Sequence, residues 1–313
     1  MTVHLQSQGD NVSQQFVMLR IDPKTTPTQK LHAHLLGSVA PRPIAFASTL
    51  SEQGHPNLAP FSFFNAFSSN PPILVFSANR RVRDNTTKNT YANIKATREV
   101  VINAVSYSFV RKMALASIEY AAGVNEFEKA GFTPLQSEIV KPFRVAESPV
   151  QFECKVNDII ELGKGGGAGN LFICEVVLMH LSEEVLDAKG NIDPHKIDLC
   201  ARMGGPLYCR ASGEAVFEIN QPTEKIGIGF DRLPPKIKAS KVLTGNDLAE
   251  LASVEKLPDA EQVASFKNDP LYKELQERFC NDAESFEWHV HEYARQLLKE
   301  KNVEKAWQLL LQL

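Results

Sequence analysis

From about Ala40 to Glu218 the chain is cut into short runs rich in β-branched and aromatic residues, each bounded by Gly, Pro, Asn or Ser. The runs are Pro43–Leu50, Ile73–Ala78, Glu99–Ala104, Val150–Ile160, Leu171–Leu181 and Ala215–Ile219. Strands of this length, punctuated at this spacing, bury enough surface only by pairing into a barrel or sandwich, so the expected fold is mainly β. Between the third and fourth runs, Phe109–Tyr120 spaces Val110, Met113, Ala114, Ser117 and Ile118 at helical intervals, which predicts accessory helices over one end or side of the barrel. The pattern changes after Asn220. Turn residues over 233–248 lead into Asp259–Leu313, where Leu297, Leu298, Lys301, Ala306, Leu309 and Leu310 recur near periods of three and four. This is the signature of amphipathic helices. Their apolar stripes need cover from the barrel or from a second copy of the chain, and the second copy is the expectation. The expected organisation is an N-terminal segment 1–36, a barrel domain 37–222 and a mostly helical extension 223–313.

Charge and length narrow the function classes. Lys+Arg 34 against Asp+Glu 37 leaves a net charge of −3, so no overall positive field draws nucleic acid or an anionic membrane. No apolar run reaches the ~20 residues of a membrane-spanning helix. The polar start, MTVHLQSQGDNVSQQ, lacks the layout of a secretory signal, and a cytoplasmic location is expected. Cys154, Cys174, Cys200, Cys209 and Cys280 form no C-x-x-C pair, as expected of reduced thiols without a disulfide framework or a metal site. The stretch Gly163–Gly169 lacks the closing Lys-Ser/Thr of a phosphate loop and is expected to be a hairpin connection.

Two constellations carry possible chemistry. Arg42-Pro43-Ile44-Ala45 runs into Ser48-Thr49, and Asn57 to Asn65 follows across the turn Ser51–Gly54. Hydroxyls, an amide and aromatics on two joined strands suit a flat heteroaromatic ring, whose faces want apolar contact and whose edge wants donors. They equally suit a hairpin with a Phe-rich core. The second constellation, Arg83 to Ile94, reads as the start of a helix with Lys88 and Thr90 at its N-terminus. That arrangement fits either a phosphate anchor or an N-capped surface helix.

R-P-I-A, S-T, N-L-A-P-F-S-F-F-N, K-x-T-x-x-N-I and Asn125-Glu126-Phe127-Glu128-x-x-Gly131 occur in that order, followed by Glu147-Ser148-Pro149-Val150, Glu153-Cys154 and Arg202-x-Gly204-Gly205-x-x-Tyr208. Together these blocks, from roughly Gly37 to Ile219, resemble the flavin reductase-like, FMN-binding split-barrel family, which includes flavoredoxin-like members. The helical tail looks like an extension carried by some bacterial members.

The resemblance implies a homodimer of split β-barrels holding FMN near the subunit interface. By position, Ser48 and Thr49 would meet the isoalloxazine edge, with Asn57, Ala59, Pro60, Phe61 and Ser62 along the ring. Lys88, Thr90 and Asn93 would hold the phosphate and ribityl chain, with Arg42 or Arg83 adding positive charge. Where family members commonly show Lys-Asp-Thr, this chain has Lys88-Asn89-Thr90. Hydride chemistry belongs to the flavin, so no side chain is assigned a catalytic role. With no G-x-G-x-x-G fingerprint, NADH or NADPH would bind transiently as donor, reducing a flavin or a small acceptor. Two other functions fit the same residues. One is a flavin electron carrier reduced by a protein partner, and the other is a non-catalytic split-barrel ligand-binding module.

Overall fold

Every second residue along most strands of the first unit points into one shared interior, and that alternation builds the fold. The computed structural model describes residues 17–121, 123–219 and 226–313. Two compact units meet in sequence at Phe217–Glu218. The boundary expected at 222/223 lies outside the described residues. In chain order the first unit contains α1 (Thr28–Ser38), β1 (Ala45–Leu50), β2 (Pro56–Phe61), β3 (Phe64–Ser69), β4 (Pro72–Ser77), α2 (Asn89–Thr97) and β5 (Glu99–Asn103). It continues with α3 (Val110–Leu115), α4 (Glu126–Ala130), β6 (Pro134–Leu135), β7 (Arg144–Val145), β8 (Val150–Glu161), β9 (Asn170–Leu181), α5 (Pro194–Ile197), β10 (Cys200–Gly204) and β11 (Leu207–Arg210).

Seven strands form one antiparallel sheet in the order β2-β1-β5-β8-β9-β4-β3. Its two outermost strands are consecutive in sequence, joined only by Ser62 and Phe63. Laid flat, strands six spacings apart would be separated by about 29 Å. Three Cα–Cα steps reach no more than about 11 Å. The sheet must therefore roll until β2 and β3 approach, helped by two register shifts in the long β8–β9 hairpin. Ala45, Phe61, Phe76, Ile102, Cys154 and Phe172 fill the inside, and Tyr91 and Ile94 of α2 pack into the same core. The Phe61, Phe76 and Phe172 rings stand 5.3 and 4.9 Å apart in turn. On the opposite face of β1 and β2, Phe46 and Leu58 pack with Phe109, Met113, Phe127 and Phe132.

The expected strands recur, with three differences. Ala215–Ile219 forms no strand: Gly213–Ala215 is a single 3-10 turn, and Phe217 and Ile219 are exposed, with no strand paired to them among the described residues. The helix expected over Phe109–Tyr120 is only the six residues of α3, after which residues 116–120 turn. Strand β3 falls inside a Phe-rich stretch that has no polar alternation to mark it. The Gly-rich segment joins β8 to β9 as a hairpin connection, as expected.

The second unit is helical, with α6 (Pro235–Lys238), α7 (Gly245–Ala252), α8 (Ala260–Phe266), α9 (Pro270–Arg278), α10 (Ala283–Lys299) and α11 (Val303–Leu310). Reciprocal hydrogen bonds between Thr244 and Asp247 cap α7, and Asp259 with Gln262 does the same for α8. Here the expected cover was wrong. Leu297, Leu298, Ala306, Leu309 and Leu310 pack within this unit, against Leu248, Leu251, Phe266 and Trp307, so the stripes cover one another. No described helix is long and apolar enough to cross a membrane.

Candidate functional site

The register of β1 on β2 sets Thr49 directly opposite Asn57. Asn57 Nδ2 donates to Thr49 Oγ1 at 3.1 Å and to Thr90 Oγ1, on the first turn of α2, at 3.0 Å. Asn93, one turn further along α2, donates to the same Thr49 oxygen at 3.1 Å. All four side chains are buried. Satisfied buried networks are stiff, and this one fixes the N-terminus of α2 against the edge strand β2. No side chain caps that N-terminus, whose N-cap residue is Lys88.

Lys88 lies under this helix end with its ammonium 5.1 Å from the centre of the Phe61 ring. Among the described residues its ammonium has no hydrogen bond and no ion pair. Burial, then the nearby positive charge of Arg81, lowers its pKa from the ordinary lysine value. Glu119 draws on this charge without forming an ion pair with it, since its carboxylate is taken up by Arg81 and Arg83, and a half-buried cation with no ion pair of its own is an arrangement an anion would relieve. Opposite it, Glu126 is 5% exposed and accepts the Leu58 N–H at 3.1 Å. Burial raises its pKa against the opposing pull of that hydrogen bond. The bond also covers an outward N–H of the edge strand, while Pro56 and Pro60, two residues to either side, have none to offer.

Asn57, Ala59, Lys88, Thr90 and Glu126 line one narrow cleft together with Arg81 and residues 116–120. The loop carrying Arg81 is braced from below by the β8–β9 connection. Gly167 donates its N–H to Arg80 O, and Asn85 Nδ2 donates to Lys164 O at 3.0 Å. A Cβ at Gly166 would stand 3.0 Å from the carbonyl oxygens of both Arg81 and Val82, so any larger residue there would press this loop outward. At the other end of β2 a second recess of about 220 Å³ is bordered by Pro60, Phe61, Ser62, Met113, Arg202 and Tyr208. Arg202 holds its corner by donating to the Tyr208 hydroxyl at 2.6 Å and to Gly205 O at 2.8 Å. Ser117 borders both spaces.

Of the residues singled out from sequence, Asn57, Ala59, Lys88 and Thr90 line the first cleft, and Pro60, Phe61 and Ser62 the second. Thr49 stands one hydrogen bond behind the cleft, through Asn57, and Asn93 two, through Thr49. Ser48 is different. Strand alternation turns it to the face opposite Thr49, beside Leu58, where its buried Oγ has no partner among the described residues. Arg42 is buried and donates through Nη1 to the Leu36 and Val39 carbonyls at the end of α1. Burial, then Arg202, lowers its pKa. Sequence reading passed over Arg81, Glu119 and Ser117 as wall residues. It quoted Glu126 only within a longer block, although a Glu directly after the N-cap Asn125 was a usable signal. No described histidine borders either space.

The domain model of flavin reductase-like proteins matches residues 36–199, more than half of the chain. The chain belongs to the flavin reductase-like domain family. Within it, a protein of Aquifex aeolicus is 38% identical over 196 residues, 63% of this chain and 97% of that one. Nitrilotriacetate monooxygenase component B from Bacillus cereus is 29% identical with a TM-score of 0.60, over 65% of this chain and 99% of its own. The 2-nitrobenzoate 2-nitroreductase of Pseudomonas fluorescens is 28% identical with a TM-score of 0.57, over 64% and 96%. The rolled, hydrogen-bond-open sheet is thus a family split barrel. Nearly whole relatives match about two thirds of this chain, so the family fold accounts for the barrel and leaves a segment of about the helical unit's size over.

Proposed function

We propose that the protein is an FMN-dependent oxidoreductase that takes hydride from NADH or NADPH and passes electrons to a free flavin or a small acceptor. The observation that carries this reading is the unpaired Lys88 ammonium beneath the uncapped N-terminus of α2. A phosphate monoester dianion supplies the charge that site lacks. From Asn57 to Phe61, β2 rises about 14 Å, and Ser62 extends the line one residue further, a length that suits a ribityl chain followed by a three-ring system. FMN, when bound, supplies the hydride-accepting chemistry.

The chain's own groups then have separable tasks. Lys88 and the Thr90 hydroxyl bind the phosphate, and Asn57, Thr49 and Asn93 hold Thr90 in place. Ala59 to Ser62 lie along the ring. Glu126 fixes the β2 edge through Leu58. The recess at Arg202 and Tyr208 admits the nicotinamide donor and then the acceptor. The relatives named as a nitroreductase and as one component of a monooxygenase support both kinds of acceptor.

We also propose a homodimer. Strand β3 is exposed along most of its length, with Phe67 68% accessible, which leaves an apolar edge for a second copy to cover. Free cysteines and the use of reduced nicotinamide nucleotides fit the cytoplasm. The test is the visible spectrum of the purified protein, followed by anaerobic NADH and then NADPH. Flavin bands that bleach establish the activity. Bands that persist point to a carrier reduced by a protein, and no bands after added FMN end the flavin reading.

A further inference from the structure

Glu119 lines the exposed side of the Lys88 cleft, and both its carboxylate oxygens are engaged by arginines. Oε1 pairs with Arg81 Nε at 2.8 Å and Oε2 with Arg83 Nη2. Arg81 is in turn held by Thr86 Oγ1 at 2.8 Å and by the Thr87 carbonyl at 2.7 Å. The bridge therefore ties residues 116–120 to the loop 80–87, the two segments that flank the opening. Burial differs across the cleft: Thr90 and Asn57 are 0% and 7% exposed, whereas the Arg81 and Glu119 side chains are 21% and 39% exposed. An exposed Arg–Glu–Arg bridge contributes little to stability.

We propose that Glu119 is a specificity-determining residue that limits the occupant to a flavin mononucleotide. The inference rests on the reading of Lys88 and Thr90 as the phosphate site. A mononucleotide ends at that phosphate, inside the bridge. A dinucleotide carries a second phosphate and a nucleoside beyond it, and these must pass the mouth where the Glu119 carboxylate and its two arginines stand. The second phosphate meets a blocked path, and Glu119, by pairing with Arg81 and Arg83, withholds the two cations that would otherwise receive it. Riboflavin, without a phosphate, is indifferent to the bridge.

The experiment uses the full-length protein and three probes, riboflavin, FMN and FAD, titrated by quenching of flavin fluorescence. Wild type is expected to prefer FMN strongly over FAD. Glu119→Ala is expected to narrow that preference by about tenfold, through tighter FAD binding, with riboflavin unchanged. Arg83→Ala, which opens half the bridge at an exposed residue, shifts the ratio in the same direction by less. Unchanged melting temperatures show that both variants fold. An FMN to FAD ratio in Glu119→Ala within about twofold of wild type overturns the inference while leaving the flavin reading intact. Equal binding of FMN and FAD by wild type overturns it as well. Absence of all flavin binding by wild type overturns the reading beneath it, a separate and recognisable result.

Discussion

The two units place their buried polar groups very differently. Among the described residues, every buried polar or charged side chain except His291 lies in the barrel unit, although the helical unit supplies a large share of the buried apolar residues. The helical unit is close to a pure packing solution, with Trp307, Leu251, Leu309 and Val290 at its centre and capped helices around them. The barrel instead buries Thr49, Asn57, Thr90, Asn93, Glu126 and Glu153, which cost desolvation and return it only through specific hydrogen bonds. Core packing makes a fold, and buried polarity marks where a fold does something further. The helical unit is thus a poor place to seek chemistry.

The comparison breaks first at Glu153, where the largest effect is expected. Its carboxylate is fully buried and accepts N–H groups of Glu138, Ile139 and Val140 at 2.7 to 3.0 Å, and its Oε1 meets His180 Nε2 at 2.7 Å. Burial pushes its pKa up, but those hydrogen bonds outweigh it and pull the value down to about 2. A carboxyl with a lowered folded pKa stabilises above its unfolded value and loses that contribution as pH falls through the folded one. Barrel stability should therefore drop by about 3 kcal/mol between pH 4.5 and 2, read by denaturant midpoints. Glu153→Ala at neutral pH should cost about 3 to 5 kcal/mol, because four donors lose one acceptor.

In the helical unit a loss of nearly that size should come from volume alone. Leu251 is 0% exposed and its carbonyl accepts the Trp307 indole N–H at 3.0 Å. Leu251→Ala should cost about 3 kcal/mol with no pH dependence. Both tryptophans, Trp288 and Trp307, lie in this unit, so their fluorescence reports its unfolding separately. Flavin binding that fails along with that fluorescence transition would show that the units do not divide their labour as described.

Lys88→Ala should weaken FMN binding by about 1.5 to 3 kcal/mol while leaving barrel stability unchanged or higher, since a half-buried unpaired charge is removed. An affinity loss without a stability loss separates a ligand-seeking group from a structural one. Unchanged affinity moves the phosphate anchor to Arg81.

Much of this was legible in sequence, for physical reasons that also explain the gaps. β8 and β9 announced themselves as runs rich in β-branched and aromatic residues bounded by turn-forming residues, the composition a half-buried strand requires. Lys88 and Thr90 were visible because the start of a helix has its own chemistry. Arg81, Glu119 and Glu126 were not, because they come from three separate segments that only the folded barrel brings to one cleft. The turn-like stretch before Asp259 hid α7, although its Thr244-x-x-Asp247 capping box was readable. What covers an amphipathic stripe is a tertiary fact, and the stripes of α10 and α11 carried no mark of their partner.

The smallest expected effect separates two neighbours on one strand. Ser48 and Thr49 look interchangeable as ring contacts in sequence, yet alternation sends them to opposite faces of β1. Thr49 Oγ1 accepts from two asparagines that also position α2, so Thr49→Val strands two buried donors and should weaken FMN binding several-fold through the displaced helix end. Ser48 Oγ is buried without a partner among the described residues, and Ser48→Ala removes a group that already pays its desolvation. It should change stability by less than about 0.5 kcal/mol, or raise it, and change FMN affinity by less than about twofold. Isothermal titration of FMN into both variants decides the matter. A large loss in Ser48→Ala would mean that the orphan hydroxyl is itself a ligand contact, and would move the ring to the face of β1 and β2 that carries Phe46 and Leu58.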